Sequence, residues 1–245
     1  MKKRIEFTSA ALHILAMILM LMDHLWATVL TGQEWLTCAG RVAFPIFAFL
    51  IVEGYFHTGN FKRYILRLFV FALLSEIPFN LMYSGVVFYP YQQNVLWTFI
   101  LGLLGIELME KARKKGKPIL FVLVAAVVVL FGYAIGMLSM VDYYGTGVLT
   151  VFVFYFFRKR KWWCLLGQIA ALYWINVELL AGQYYDVTVF DFDFMLYQQG
   201  LALLALIPIW LYRGQQGHHS KPFKYFCYAF YPVHMLILGL IIYFR

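Results

Sequence analysis

The sequence predicts an all-α, polytopic integral membrane protein, a single bundle of nine transmembrane helices over residues 1–245 with a cytoplasmic N-terminus. Composition is the first reason, because 63% of the residues are hydrophobic and 13% are charged, against roughly 25% charged residues in soluble domains. The mean hydropathy is +0.75. A soluble protein of this composition would lack the polar residues that cover a surface. Soluble enzymes, disordered chains and secreted disulfide scaffolds are therefore excluded.

Apolar runs that can cross a bilayer are the second reason. A spanning helix needs about 20 apolar residues, and the stretches that meet or approach this length are 9–30, 36–55, 64–83, 94–110, 118–138, 140–157, 164–182, 195–212 and 225–244. The first run follows a basic cluster at 2–4, as in a signal peptide. Because Asp23 and His24 interrupt it and no small-residue cleavage site is present, we expect it to be retained. The sixth run spans only if Asp142 and Tyr143 lie inside the protein.

The distribution of Lys and Arg is the third reason. With the N-terminus in the cytoplasm, 18 of the 20 basic residues fall in the inner segments. They are Lys2, Lys3, Arg4, Lys62, Arg63, Arg67, Lys111, Arg113, Lys114, Lys115, Lys117, Arg158, Lys159, Arg160, Lys161, Arg213, Lys221 and Lys224. The predicted outer loops carry Glu34, Asp186, Asp191 and Asp193 instead, as the positive-inside rule requires. The net charge of +8 therefore indicates orientation, and no nucleic-acid partner is expected.

Charged residues also lie inside the predicted spans, namely Asp23, Arg41, Glu53 and Glu76. Each ionised group costs at least about 2.5 kcal/mol at mid-membrane, so these residues must pair, take up a proton or face water. We expect Arg41 to pair with one carboxylate. A second carboxylate, from Glu76 or Asp142, is expected to orient the ring of His24. A buried ion-pair network without any chemistry is the alternative.

Other polar side chains and prolines accompany these charges. Asn80, Asn94 and Asp142 fall in the outer halves of the predicted spans. Prolines stand beside the charged or histidine positions at Pro45, Pro78 and Pro232. Each proline frees the carbonyl four residues earlier, which indicates a polar cavity, with ordinary helix kinks as the alternative.

Histidines supply the remaining candidates for acid or base chemistry. His234 lies near the middle of the ninth span and is either a second acid or base or a packing residue with one partner. His57 lies at the cytoplasmic rim among basic residues. His218 and His219 have no third ligand nearby, and the three cysteines show no C-x-x-C spacing. No metal or redox site is therefore expected.

Common catalytic motifs are absent from the sequence. It contains no G-x-S-x-G elbow, H-E-x-x-H zinc motif, P-loop or G-x-G-x-x-G fingerprint. Hydrolase, metalloprotease, ATPase and dehydrogenase activities therefore have no support. A histidine, several carboxylates and an arginine can deprotonate a nucleophile, stabilise an oxyanion or carry protons.

Several motifs together resemble the TraX family over nearly the whole chain. They are Asp23-His24, the blocks 41–58, 75–80 and 231–234, Asn94, and Asp142-Tyr143 with Gly145. TraX proteins are known for acetylating the N-terminus of conjugative pilin, and they are grouped with the acyltransferase-three and heparan-alpha-glucosaminide N-acetyltransferase families. The resemblance implies a multi-pass protein of the bacterial cytoplasmic membrane. It also implies that acetyl-CoA or another acyl-CoA is the donor and that an amine or hydroxyl of a peptide or glycan is the acceptor.

Acyl transfer of this kind suggests roles for four ionisable residues of the outer half. His24 is the expected general base, and Asp23 or Glu76 would orient its ring. Arg41 would anchor the carboxylates or polarise the thioester carbonyl. His234 is the alternative base.

Two further sets of residues complete the predicted site. At the inner rim, candidate ligands for the CoA phosphates are Arg63, Arg67, Arg113 and His57, although topology also explains the arginines. Candidate pocket residues are Glu53, Asn80, Asn94 and Asp142. Two other functions stay open: a proton-coupled transporter, which also uses intramembrane carboxylates and proline-broken helices, and a structural partner in a conjugation or secretion assembly. Homo-oligomerisation also stays open.

Overall fold

The structure is a computed structural model that describes residues 7–189, 192–218 and 220–244. Its α-helices are α1 (Ser9–Thr28), α2 (Glu34–Gly40), α3 (Ala43–His57), α4 (Phe61–Ser84), α5 (Val95–Lys114), α6 (Pro118–Leu138), α7 (Tyr144–Phe156), α8 (Trp162–Tyr173), α9 (Leu206–Leu211) and α10 (Lys221–Tyr243). A π-helix (Trp174–Leu179) follows α8, and a 3-10 helix (Gln198–Ala205) precedes α9. The predicted all-α class is confirmed, except for one short hairpin. The predicted basic cluster at 2–4 and residues Asp191, His219 and Arg245 lie outside the described residues.

Membrane-spanning helices are fewer than predicted. Within the described part of the chain, five helical stretches are long and apolar enough to cross a membrane, and these are Ser9–Thr28, Glu34–His57, Phe61–Ser84, Pro118–Leu138 and Lys221–Tyr243. By length and composition, the prediction of nine spans is therefore wrong. The protein is nevertheless an integral membrane protein.

The other four predicted spans take different structures for physical reasons. The span 94–110 is part of α5, whose last turns carry five charged residues from Glu107 to Lys114. The span 140–157 is the 13-residue α7, and 164–182 is divided between α8 and the π-helix. The span 195–212 begins in a strand and continues through the 3-10 helix and α9.

A β-hairpin, residues 184–197, interrupts the predicted helical pattern. Its strands β1 (Tyr184–Val189) and β2 (Phe192–Tyr197) pair antiparallel, with Tyr184 opposite Tyr197 and Val187 opposite Phe194. The sequence analysis did not foresee this short sheet.

The chain forms two compact units. The first contains Met1–Leu50 and Lys159–Phe230, and the second contains Ile51–Arg158 and Tyr231–Arg245. In the first unit, α1 packs against α2, and the 3-10 helix contacts both α2 and α8. In the second unit, α5 packs against α4, α6 and α7.

The core of the second unit forms around the short helix α7. Most of its residues are buried, including the side chain of Phe152. A Cβ atom on Gly105 would lie 2.6 Å from the Phe152 ring, and one on Gly132 would lie 2.9 Å from it. Small residues let neighbouring helices approach closely in membrane proteins. These glycines therefore allow α5 and α6 to enclose α7.

Prolines occupy two kinds of position. The helix breaks at Arg41 and Val42, and Pro45 is the third residue of α3. A proline in the first turn removes a backbone donor that has no helical partner. Pro45 therefore lies at the start of α3, whereas the sequence analysis placed it inside a spanning helix. Pro78 and Pro232 lie inside α4 and α10.

Candidate functional site

An ion pair joins the first two helices of the first unit. The Nη2 atom of Arg41 donates to Oδ1 of Asp23 and to Oγ1 of Thr37, the second at 2.9 Å. Thr37 Oγ1 in turn donates to the same Asp23 oxygen at 2.7 Å. The Arg41 and Asp23 side chains are 18% and 15% exposed. The pairing expected of Arg41 is present, and Asp23 is its carboxylate.

A chain of amide side chains extends this ion pair. Arg41 Nη1 donates to Oε1 of Gln199 at 3.3 Å, and Gln199 Nε2 donates to Oδ1 of Asn176 at 3.0 Å. Asn176 lies in the π-helix and donates to the carbonyl of Leu172 at 2.8 Å. π-Helical turns occur frequently at functional sites. Sequence reasoning gave no role to Gln199, Asn176 or Thr37, since neutral side chains impose no obvious charge penalty.

The guanidinium of Arg41 has a hydrogen-bond acceptor at each nitrogen. Its Nε donates to the carbonyl of Thr37 at 3.3 Å, while Nη1 and Nη2 have the acceptors given above. The arginine therefore has the geometry of an anchor for Asp23. Of the two roles predicted for Arg41, this one fits its contacts better than polarising a thioester carbonyl.

His24 follows Asp23 on α1 and is buried, with 7% of its surface exposed. Neighbouring residues on a helix point about 100° apart, so the imidazole and the carboxylate are directed to different surroundings. Thr28 Oγ1 donates to the His24 carbonyl at 2.5 Å. Glu76, the other predicted orienter, belongs to the second unit, and its relation to His24 stays a prediction.

A second polar cluster holds Glu76 in the second unit. Its Oε1 atom accepts from the Asn94 amide side chain at 2.5 Å, from the Asn94 backbone N–H at 3.3 Å and from the Trp97 indole at 2.6 Å. Asn94 also caps α5 through Leu96 N and donates to the Ala72 carbonyl at 2.9 Å. In the described part of the chain, none of the hydrogen bonds uses Glu76 Oε2. The carboxylate is thus fixed through one oxygen and open at the other.

Asp142 lies in a tight turn before α7. Its N–H donates to the Gln93 carbonyl at 2.9 Å, and its own carbonyl accepts from Thr98 Oγ1 at 2.6 Å. The following residues, Tyr143 and Tyr144, have positive φ angles of 59° and 49°. Such angles are strained for residues other than glycine. The turn therefore places Asp142 at the start of α7 rather than within a spanning helix.

The predicted acid or base on α10 is buried beside a tyrosine. The His234 side chain is 6% exposed, and its ring centroid is 6.1 Å from that of Tyr231. Tyr231 interacts electrostatically with Asp142 and hydrogen-bonds with the Val95 backbone. The structure therefore brings together α10 and the Asp142 turn within one unit.

Asn80 is buried with its carbonyl oxygen unpaired. Its Nδ2 donates to the Val87 carbonyl at 3.3 Å, while Oδ1 has no partner among the described residues. The hydroxyl of Ser75 on the same helix is buried and likewise unpaired. Leaving a buried polar group unsatisfied costs about 1–3 kcal/mol, so α4 carries spare hydrogen-bonding capacity near Glu76.

The predicted phosphate ligands at the inner rim fall into two groups. Arg113 donates to Glu110 at 2.6 Å, and His57 Nδ1 lies 2.8 Å from the Glu53 carbonyl oxygen. Both side chains thus already have a hydrogen-bond partner. Arg63 is exposed, and Arg67 lies 5.8 Å over the Tyr64 ring with its buried Nε unpaired in the described residues. Arg63 and Arg67 are the better placed to receive an anion.

Glu53 is engaged by a basic residue that the sequence analysis did not connect to it. Arg158 Nε donates to Glu53 Oε1 at 2.8 Å, and its guanidinium lies 4.0 Å from the Phe56 ring centroid. Since this carboxylate already has a cation, its contacts favour an ion-pairing role over the predicted role in a substrate pocket.

Two tyrosines bind carboxylates on α5, an arrangement that the sequence analysis missed. Tyr55 donates to Glu107 and Tyr155 donates to Glu110, each at 2.7 Å. Each tyrosine is far in the sequence from the glutamate that it contacts. The sequence could have indicated the pairs only through a helical periodicity that places both tyrosines on faces directed at α5.

Fold and site together define a polytopic helical membrane protein that holds ionisable side chains within its apolar helices. A family model described as TraX protein matches residues 8–242, and the chain therefore belongs to the TraX family. The chain is also similar to the probable fimbrial assembly protein FimC, serogroup H1, of Dichelobacter nodosus, with 27% identity over 252 residues that cover 97% of each chain. No solved structure matches the chain.

Proposed function

We propose that this protein is an acyl-CoA-dependent acyltransferase of the bacterial cytoplasmic membrane that serves a pilus or conjugation system. Membership of the TraX family and the fimbrial-assembly name of the relative support the biological setting. The acyl group, an acetyl group in the simplest case, would pass to an amine or hydroxyl of a peptide or cell-envelope glycan.

The observation that carries the proposal is that an ion-paired carboxylate and a buried histidine occupy adjacent positions of a membrane helix, where they face different surroundings. Asp23 is held by Arg41 and Thr37, and His24 is the next residue. Intramembrane ionisable groups are costly and are usually functional. A histidine has an unperturbed pKa of about 6.5, which suits a general base near neutral pH.

The chemistry requires a base that takes a proton from the acceptor and returns it to the leaving group. The acceptor nitrogen or oxygen attacks the thioester carbonyl while His24 takes the acceptor proton. The C–S bond then breaks as the tetrahedral intermediate collapses, and the proton passes to the departing CoA thiolate. Arg41 keeps Asp23 in place.

Binding is the first test. Acetyl-CoA or CoA should raise the unfolding temperature of the purified protein, because a ligand at 100 times its Kd stabilises the folded state by about 2.7 kcal/mol. Arg63→Ala should weaken binding about tenfold, since a hydrogen bond to a charged group contributes about 1.5 kcal/mol. Arg213→Ala removes the same charge from an exposed position in the other unit and is the control. No stabilisation by any acyl-CoA would contradict the proposal.

Turnover is the second test. His24→Ala should remain folded and bind acyl-CoA, with the transfer rate lowered roughly 100- to 10,000-fold. If His24→Ala keeps more than about a tenth of the wild-type rate, a loss far below the usual effect of a general base, while His234→Ala is inactive, then the base lies on α10.

A proton-coupled transporter is the second candidate function. The open Glu76 carboxylate lies on α4 and His234 lies on α10, and each of these helices contains a proline. Broken helices with acidic residues are how transporters build midplane sites. Solute uptake by proteoliposomes that depends on a pH gradient, together with no response to acyl-CoA, would favour this function.

A further inference from the structure

The hairpin at 184–197 has one face that is entirely apolar or aromatic. Residues opposite each other in an antiparallel pair share a face of the sheet, and the register pairs Tyr185 with Leu196 and Val187 with Phe194. Phe192 continues the same face by the two-residue period. The apolar face of the hairpin is therefore formed by Tyr185, Val187, Phe192, Phe194 and Leu196.

The opposite face of the hairpin carries Asp186, Thr188 and Asp193, together with Met195, which lies opposite Asp186. Thr188 Oγ1 donates to Asp193 at 2.6 Å. Tyr184 and Tyr197 share this face near the base of the hairpin, with ring centroids 5.9 Å apart. The hairpin is thus amphipathic across its thickness, as a strand pair at an apolar–aqueous boundary would be.

Exposure of the apolar face increases from the base of the hairpin toward its tip. The exposed fraction rises from 37% for Leu196 to 46% for Phe194 and 78% for Phe192. Burying a phenylalanine side chain contributes about 1.5–3 kcal/mol. Two phenylalanines projecting into water would therefore forfeit several kcal/mol.

The base of the hairpin is attached to the first turn of a membrane helix. Tyr185 donates to Glu34, the first residue of α2, at 3.0 Å, and accepts from Gln198 at 3.1 Å. The contact with the Cys38 sulfur, followed by burial, raises the pKa of Tyr185 from 10 to about 12. The hydroxyl thus stays protonated and donates throughout the physiological range. This attachment places the hairpin at the level where the spans begin.

We propose that the apolar face of the hairpin lies in the interfacial layer of the bilayer, with its polar face toward water. The adjoining apolar helices supply continuity, because Tyr173 and Trp174 before the hairpin and Leu204 and Ile207 after it are exposed apolar side chains. Open sheet edges need water or headgroups for their hydrogen bonds, so the interface suits the hairpin and the hydrocarbon core does not.

Spin labels at neighbouring positions of one strand test this arrangement. In the reconstituted full-length protein, with its three cysteines replaced by alanine, Phe194→Cys and Phe192→Cys carry labels on the apolar face. Met195→Cys, 57% exposed in the wild type, is the matched control on the polar face. Oxygen should relax the first two labels more strongly than a water-soluble nickel reagent, and the order should reverse at position 195.

Each other outcome overturns the proposal. Preference for nickel at all three positions places the apolar face in water, and protection of positions 192 and 194 from both reagents means that protein covers it, such as a second copy of the chain. If the cysteine-free variant does not fold, Phe194→Trp and Met195→Trp in the wild-type background provide the same comparison. Quenching by brominated lipids should then affect the tryptophan at position 194 and spare the one at position 195.

Discussion

Gly40 faces Asp23 so closely that a Cβ atom on the glycine would lie 2.8 Å from Asp23 Oδ1 and 2.9 Å from its Cγ. The absence of a side chain therefore lets α2 approach α1 at the level of the ion pair. Arg41, the next residue, reaches the same carboxylate. The spacing of the two helices and the position of the charge are thus set by adjacent residues.

Gly40→Ala is expected to destabilise the protein by about 1–3 kcal/mol, because overpacking forces side chains and backbone to shift. Gly32→Ala is the control, since no heavy atom lies within 4 Å of its Cβ position. Urea unfolding in detergent measures both. Equal midpoints for the two variants would contradict the close packing of Gly40 against Asp23.

The ion pair should appear as a coupling energy between a substitution of Asp23 and one of Arg41. Asp23→Asn leaves Arg41 without its carboxylate, and Arg41→Met leaves Asp23 without its cation. Breaking a buried pair from one side costs about 3–5 kcal/mol. The double variant should therefore be less destabilised than the sum of the single variants by about 0.5–3 kcal/mol, the usual range for coupled residues. Additive losses in a double-mutant cycle would mean that the pair contributes no coupling energy.

Two substitutions of Glu76 separate the contribution of its hydrogen bonds from that of its negative charge. Glu76→Gln keeps an oxygen that can accept from Asn94 and Trp97, so its unfolding free energy should stay within about 1 kcal/mol of wild type. Glu76→Ala leaves these donors unsatisfied and should cost at least about 2 kcal/mol. Thermal unfolding compares the two variants. If Gln is as damaging as Ala, the negative charge of Glu76 is required for stability.

Orientation can be measured on either side of the second span, Glu34–His57. Gly32 and Gly59 lie in the loops that flank it, and neither has atoms within 4 Å of its Cβ position. In a cysteine-free background, Gly32→Cys should react with an impermeant maleimide on intact cells, and Gly59→Cys should react only after lysis. The reverse pattern would invert the predicted topology.

Charge made part of the site predictable from sequence. An arginine in an apolar helix must find a carboxylate, and Arg41 does so with Asp23. Gln199 and Asn176, which continue the same chain of hydrogen bonds, carry no charge, and only the folded helices show that they meet.

Helix length and residue periodicity explain the errors in the predicted fold. α7 is too short to span, and its burial depends on Gly105 and Gly132, which a hydropathy count does not weigh. The hairpin lies beside an apolar run that favours a helix, yet the alternation of Asp186 with Tyr185 and Val187 already has the two-residue period of a strand. Apolar content alone therefore overestimated the number of spans.

The π-helix at Trp174–Leu179 predicts which sequence changes should occur together among members of the family. A turn with i→i+5 hydrogen bonds contains one residue more than the α-helical turn it replaces, so this segment has the form left by a single-residue insertion. Loss of one residue before Asn176 would rotate that side chain by about 100° and separate it from Gln199. Relatives with an uninterrupted α-helix here should therefore carry a different residue at position 199, and the two changes should be inherited together.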